Sequence, residues 1–556
     1  MTTADVIFTG GAIFTGTGTP LSGHAVAVTG ERIVAVGPEA DVARLAGPDT
    51  RTVDLGGALL ATGFQDAHIH PVSGGMELLQ CNLIEATDAA DAVSTVAAYV
   101  AKTPVDVDDG WILGGGWSME HFPGGAPARG LLDEVAPDRP ALLMSRDHHS
   151  AWVNTAAIRL AGLDARTPDP IDGRIEREPD GHPAGTFHEG ASALFDRVRP
   201  AVDADLLYRG LLRAQDELIA LGITGWQDAI VGESDAVADP LSAYLRALEE
   251  GTLRVHVVGA QWWERRRGGE QVAEMVARRD RIAALGQEKR LSLGSTKIMV
   301  DGVAENHTAA MLDPYRDGHG HVTDASGLSF IDPERLREHV VALDAAGMQV
   351  HFHALGDRAV REALDALAAA RAAGGGSDGR HHLAHLQMVD AADVPRFAEL
   401  GAIANIQALW ATHEDQLDEL ALPFLREGAE ERHYPFGDLV RAGAALAAGS
   451  DWPVSSADPM DAIHVAVNRT LPGSALPPLG GELQRIDLAT ALAAYTSGSA
   501  SVNHREHDTG SIRPGYLANL VVLEPDPFAL PASDIHLSAV VSTWIDGEPV
   551  YTRPRP

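Results

Sequence analysis

From about residue 205 onward the chain repeats one pattern, a short apolar or β-branched run followed by an amphipathic stretch rich in Ala, Leu, Arg and Glu. Strands that alternate with helices in this way pair in parallel, and enough of them close into an α/β barrel. The candidate barrel strands are residues 222–228, 253–258, 296–300, 349–353, 381–386, 402–406 and 444–451, and an upstream run at 64–70 brings them to eight. From His353 to His385 is 32 positions and from His385 to Asp451 is 66, which are one and two strand–helix units of about 33 residues each. Some 150 residues separate the first two strands, too many for one crossover, so an inserted subdomain is expected at about 75–205. The runs before residue 60 and after residue 505 alternate short strands with turns and predict a small antiparallel sheet. We read 1–60 and 505–556 as one β-sandwich flanking a (β/α)8 barrel at 61–504. Gly374-Gly-Gly-Ser-Asp-Gly reads as a flexible loop within it.

Chemistry gathers at the predicted C-terminal ends of these strands, where barrels of this kind place their sites. His68 and His70 stand at i and i+2 on an apolar run, so a strand points both imidazoles one way, half of a nitrogen-donor metal site. His353, His385 and Asp451 fall at other strand ends. Lys297 is the third kind of group there, and composition singles it out: the chain has 40 Arg but only 3 Lys. Arginine stays protonated, whereas a desolvated lysine amine can become neutral and take up carbon dioxide as a carbamate or form a Schiff base. The same lysine could instead pair with Asp301 or Glu305 as a buried cation. His351 shares a strand face with His353 but lies deeper, which suits a core or supporting role, and His381 and His382 read as ordinary packing.

A single cysteine, Cys81, excludes a disulfide framework and a thiolate zinc site, so any metal needs nitrogen and oxygen ligands. The formal net charge of -35 opposes phosphate-backbone binding, which makes nucleic acid an unsuitable partner. No apolar run approaches the length of a membrane span and no basic leader precedes the first strand, so neither membrane insertion nor export is expected, and a cytoplasmic protein is. A homo-oligomer is left open.

Several stretches carry a resemblance. Gly63-Phe-Gln-Asp-Ala-His-Ile-His70, Lys297-Ile-Met-Val-Asp-Gly302, His353-Ala-Leu-Gly-Asp-Arg-Ala-Val360, Leu383-Ala-His-Leu-Gln387, Gly449-Ser-Asp-Trp-Pro453 and Gly510-Ser-Ile-Arg-Pro-Gly515 follow one another in this order and spacing. Together they resemble the amidohydrolase superfamily, and within it the YtcJ-like group that includes N-substituted formamide deformylases. Asp147-His-His-Ser-Ala-Trp-Val-Asn154 in the insert is similar to that group as well. The resemblance implies one or two divalent ions, usually zinc. His68 and His70 would hold one ion, His353 and His385 the other, and a carbamate on Lys297 would bridge them. Asp451 would bind the first ion and take the proton from the attacking water. Thr62, Asn519 and the stretch Glu305-Asn-His-Thr308 depart from the usual pattern and bear on substrate fit.

These readings converge on a metal-dependent hydrolase of a linear amide-type C–N bond in a small N-acyl or N-formyl amine. A deaminase or cyclic-amide hydrolase on the same fold is the first alternative. Mononuclear deaminases of the superfamily typically place a glutamate shortly after the fifth-strand histidine, where this chain has Ala-Leu-Gly-Asp. A metal-binding barrel without turnover is the second. For the substrate pocket the sequence offers Trp117, Trp410 and Trp452 as apolar walls, Trp117 in a lid from the insert, with His149 and His307 as polar contacts.

Overall fold

The barrel dominates the computed structural model, which describes residues 3–105, 107–232, 238–374 and 378–554. Its strands are β1 (Phe64–Ile69), β2 (Ile223–Val231), β3 (His256–Trp262), β4 (Leu291–Met299), β5 (Gln349–Ala354), β6 (His382–His385), β7 (Ile403–Ile406) and β8 (Ala445–Ala448). They form one eight-stranded sheet in chain order, and every ladder between neighbours is parallel. Because helices cover the outer face and side chains fill the interior, these strands are largely buried on both faces, and all but β8 carry polar side chains among the apolar ones. The sheet closes between its first and last strands. Asp451 donates its backbone N–H to the His68 carbonyl at 2.8 Å, and His70 donates to the Trp452 carbonyl at 2.9 Å. Gly449 permits that approach, since a Cβ there would sit 2.6 Å from the His68 nitrogen. The closing seam therefore carries three of the six residues singled out by the sequence.

Aspartates open two of the connecting helices. Asp203 caps Ala204–Ala220 through the N–H of Asp205, and Asp332 caps Pro333–Ala345, whose first residue is a proline. Their inner faces, such as Leu211, Leu218, Leu336 and Val340, join one continuous core with the strands.

Strands from both termini form two further sheets. One has four strands, Arg32–Pro38, His24–Thr29, Val6–Thr9 and Arg51–Asp54. The other has five, Ala12–Phe14, Leu59–Thr62, Leu520–Glu524, Ala539–Ile545 and Glu548–Thr552. Phe8 and Trp544, from opposite ends of the chain, meet edge to face at 5.0 Å between them. The expectation of purely antiparallel pairing needs correction. Val6–Thr9 pairs in parallel with Arg51–Asp54, and Ala12–Phe14 with Leu59–Thr62. The hairpin at 24–38 and the short helical turns that follow return the chain to the sheet in its original direction.

A six-stranded sheet lies between β1 and β2 in sequence, running from Cys81–Asn82 to Pro183–Glu189. The antiparallel strands Ala141–Ser145 and Ser150–Val153 are joined by a tight connection whose tip carries Arg146 to His149 to the barrel mouth. The predicted glycine-rich loop falls across residues 375–377, outside the described residues.

Candidate metal centre

At the mouth, β1, β6 and the turn after β8 bring His68, His385 and Asp451 together, with one ligand atom from each lying within 4.8 Å of the others. Asp451 Oδ1 is 3.1 Å from His68 Nε2 and 3.0 Å from His70 Nε2, and its Oδ2 is 3.7 Å from His385 Nδ1. Lys297 Nζ approaches His68 Nε2 at 3.3 Å. His353 packs its ring on His385 with centroids 4.5 Å apart, and its Nδ1 lies 3.3 Å from Asp301. All six residues named from the sequence line one cavity.

Burial sets the protonation states. Desolvation lowers His68 to about 3 and holds His353 and His385 well below the usual imidazole range, so all three rings are neutral donors at neutral pH. Burial opposes ionisation of Asp451, but the surrounding imidazoles, His68 first, hold its carboxyl well below the usual carboxylate range. Desolvation also lowers Lys297 to about 7, with Asp451 working the other way. No carboxylate comes within ion-pairing distance of Lys297 among the described residues, so the pairing with Asp301 or Glu305 is not formed. Asp301 instead accepts the backbone N–H groups of Ala310, Leu355 and Gly356.

The donor set suits a divalent ion. Neither ring nitrogen of His385 has a hydrogen-bond partner, nor has His70 Nδ1, and Asp451 Oδ1 makes no aligned hydrogen bond despite its close neighbours. Buried polar atoms left this way cost free energy that a cation among neutral imidazoles and a carboxylate would offset. The backbone points the same way: His385 and Asp451 hold positive φ values of 79° and 57°, a conformation that costs about 1–3 kcal/mol per non-glycine residue and clusters at functional sites.

The cavity above these residues has a volume of about 450 Å³. Trp410 forms part of its wall and stacks on His385, with rings 9° from parallel. His149 also faces it, its Nδ1 held 2.8 Å from Glu189. Burial works against protonation of His149, but the Glu189 carboxylate outweighs it and raises the imidazole to about 9. The other three expected contacts are displaced. Trp117 is fully buried in the core of the insert, edge-on to Phe122 and donating Nε1–H to the Leu143 carbonyl, because its strand faces that core. It forms no lid; Glu120, three residues on, reaches the cavity instead. Trp452 turns away to pack on Gly74, where its ring fills the space of a side chain. His307 is held between Tyr315 and Phe424, off the cavity wall. Sequence reasoning overlooks Glu189, which sits 40 residues from its histidine, and Gln387 and Tyr434 on the cavity wall. Gln387 lies two residues past His385 in the same Leu383-Ala-His-Leu-Gln387 run, whereas no periodicity or motif in the chain connects Glu189 or Tyr434 to the site.

Known proteins resemble this chain along nearly its whole length. A model described as an amidohydrolase family matches residues 51–551. The chain is 29% identical to Protein LONG AFTER FAR-RED 3 of Arabidopsis thaliana, covering 99% of this chain and 92% of that one. It is 28% identical to putative amidohydrolase YtcJ of Bacillus subtilis, over 91% of each chain, and 27% identical to an N-substituted formamide deformylase of Arthrobacter pascens, over 95% of each. Among solved structures, an uncharacterized metal-dependent hydrolase from Pyrococcus horikoshii OT3 shares the fold with a TM-score of 0.71 at 23% identity, covering 95% of this chain and 99% of that one.

Proposed function

The chain belongs to the amidohydrolase family, and from that premise we propose that it uses one or two divalent ions, zinc in the first instance, to hydrolyse a linear amide-type C–N bond in a small N-acyl or N-formyl amine. The observation that carries this reading is the convergence of His68, His385 and Asp451 on one buried point, with unpartnered donor atoms on His385 and Asp451. The named activity of the Arthrobacter pascens relative supports the choice of bond. The reading places the protein in the cytoplasm, acting on a small molecule rather than on nucleic acid or a membrane.

In this scheme His68, His70 and Asp451 hold one ion, and His353 and His385 hold the second. Lys297, neutral for much of the time at a pKa of about 7, would attack carbon dioxide, forming a C–N bond and releasing a proton, and the carbamate would supply anionic oxygen ligands to the metal. When bound, the metal supplies an activated water and a polarised carbonyl. Asp451 takes the proton of the attacking water and delivers it to the leaving nitrogen. His149, oriented by Glu189, donates from its other nitrogen to the developing oxyanion. Trp410 provides an apolar face for the acyl or amine group.

The test is a hydrolysis screen of zinc-loaded protein against N-formyl amines, N-acyl amines and N-acyl amino acids, read by release of free amine. Turnover abolished by a chelator and restored by zinc is expected. A fully metallated protein that cleaves nothing across the panel would favour a metal-binding barrel without this activity.

A further inference from the structure

Below the mouth, the barrel interior holds a chain of polar side chains that the proposed chemistry does not use. Gln227, His351, His382 and Asn405 have no accessible surface, and Gln349 has almost none. Backbone groups, whose donor and acceptor roles cannot change, determine the polarity of this chain from both ends. At one end Gln349 Nε2 lies 2.9 Å from the Arg380 carbonyl and 2.7 Å from the Val502 carbonyl, so the amide nitrogen must be there. Gln349 Oε1 then accepts from Gln227 Nε2 at 3.1 Å, which turns Gln227 Oε1 toward two histidines. That oxygen can only accept, so His351 Nδ1, at 2.7 Å, and His382 Nε2, at 3.0 Å, both carry protons.

The other end gives the same answer independently. Gln407 Oε1 accepts the His385 backbone N–H, leaving Gln407 Nε2 to donate to Asn405 Oδ1 at 3.2 Å. Asn405 Nδ2 therefore faces the Ala67 carbonyl and His382 Nδ1, which must be bare. With His351 protonated on Nδ1, its Nε2 accepts, and the group opposite it at 2.8 Å is His68 Nδ1.

We infer that this buried chain sets the tautomer of His68, placing its proton on Nδ1 and aiming the Nε2 lone pair at the metal position, with Gln227 as the positioning residue that sets the polarity. A metal-bound imidazole needs its other nitrogen held in this way, and removing such support typically weakens metal binding about 10–100-fold. The inference rests on His68 holding an ion, but tautomers are read without turnover. The amide screen can therefore fail while the tautomer pattern holds, and the reverse.

The test is a two-bond 1H–15N correlation spectrum of metal-free protein carrying 15N-histidine, assigned by single histidine replacements. His68 and His351 are expected as Nδ1–H tautomers and His382 as Nε2–H. His68 protonated on Nε2 would overturn the inference. A second arm measures zinc affinity by competition with a chromophoric chelator. Gln227→Leu, which removes the acceptor, is expected to bind zinc about 10–100-fold more weakly, while Gln227→Glu, which keeps it, stays within a few-fold of the parent. Unchanged affinity and tautomers in Gln227→Leu would also overturn it. If that variant does not fold, the spectrum of the parent chain decides.

Discussion

Two layers of the same barrel, a few ångströms apart along the strands, treat identical side chains in opposite ways. At the mouth, His70 and His385 leave buried ring nitrogens without hydrogen bonds, and His385 and Asp451 sit at positive φ. On the floor, both nitrogens of His351 and of His382 have partners, and none of Gln227, His351, His382 or Asn405 has positive φ. A fully satisfied buried network rigidifies a core, whereas an unsatisfied, strained one persists only where something else uses it. The mouth leaves ring nitrogens bare on His70, His353 and His385, whereas His68 joins the two layers, its Nδ1 paired with His351 and its Nε2 3.3 Å from Lys297. Residue type does not separate the layers.

The first way to break that contrast is to remove the carboxylate at the mouth. Asp451→Asn should lower kcat/KM by about a thousandfold or more, since it takes away both a ligand and the proton carrier, and metal content should fall with it. Retention of both in steady-state kinetics and elemental analysis would assign Asp451 to the structural layer. Next in size, Lys297→Arg keeps the charge but can neither carboxylate nor ligate a cation, so about a hundredfold loss of activity with loss of metal is expected. Partial rescue of Lys297→Ala by a small carboxylate such as formate should accompany it. An arginine variant with full metal content and near-normal turnover would remove the bridge.

A smaller effect comes from pH. Burial lowers Lys297 from 10.5 to about 7. Carbon dioxide reacts only with the neutral amine, so zinc reconstitution at a fixed concentration of dissolved carbon dioxide should be nearly independent of pH above about 7. Below that it should slow by about tenfold per unit as the ammonium form takes over. A rate flat down to pH 5 would count against the carbamate. The smallest change in catalysis separates two tryptophans. Trp410→Ala should raise KM several-fold with little change in Tm, because Trp410 faces the cavity. Trp117→Ala should leave KM alone and cost about 3–5 kcal/mol of stability, as expected for a large ring lost from a core. Denaturant unfolding and kinetics of the pair would show either pattern reversed.

Much of the mouth is legible in the amino-acid sequence. The His-x-His pair, the lone strand lysine, and spacings matched to strand–helix units all depend on local periodicity, and each of the eight barrel strands overlaps its apolar run, although β3 is shifted toward the C-terminus and β4 begins at Leu291, well before the run at 296–300. The floor is not legible in the same way. His351 and His382 read as support or packing because their partners Gln227 and Asn405 lie 124 and 23 residues away, and nothing local marks a glutamine as the member that sets polarity. The pocket wall fails for another reason. Nearness to loop ends suggests Trp117 and Trp452, but strand alternation turns one into the insert core, and the small Gly74 draws the other away from the cavity. His149 is the exception that the insert motif does reveal, although its Glu189 partner stays hidden.

The most direct test of the central claim is elemental analysis of the active protein, paired with turnover before and after chelation. One or two stoichiometric zinc-like ions per chain, lost together with activity and restored together, is the predicted result. Full activity in protein with no stoichiometric metal would contradict the account at its base.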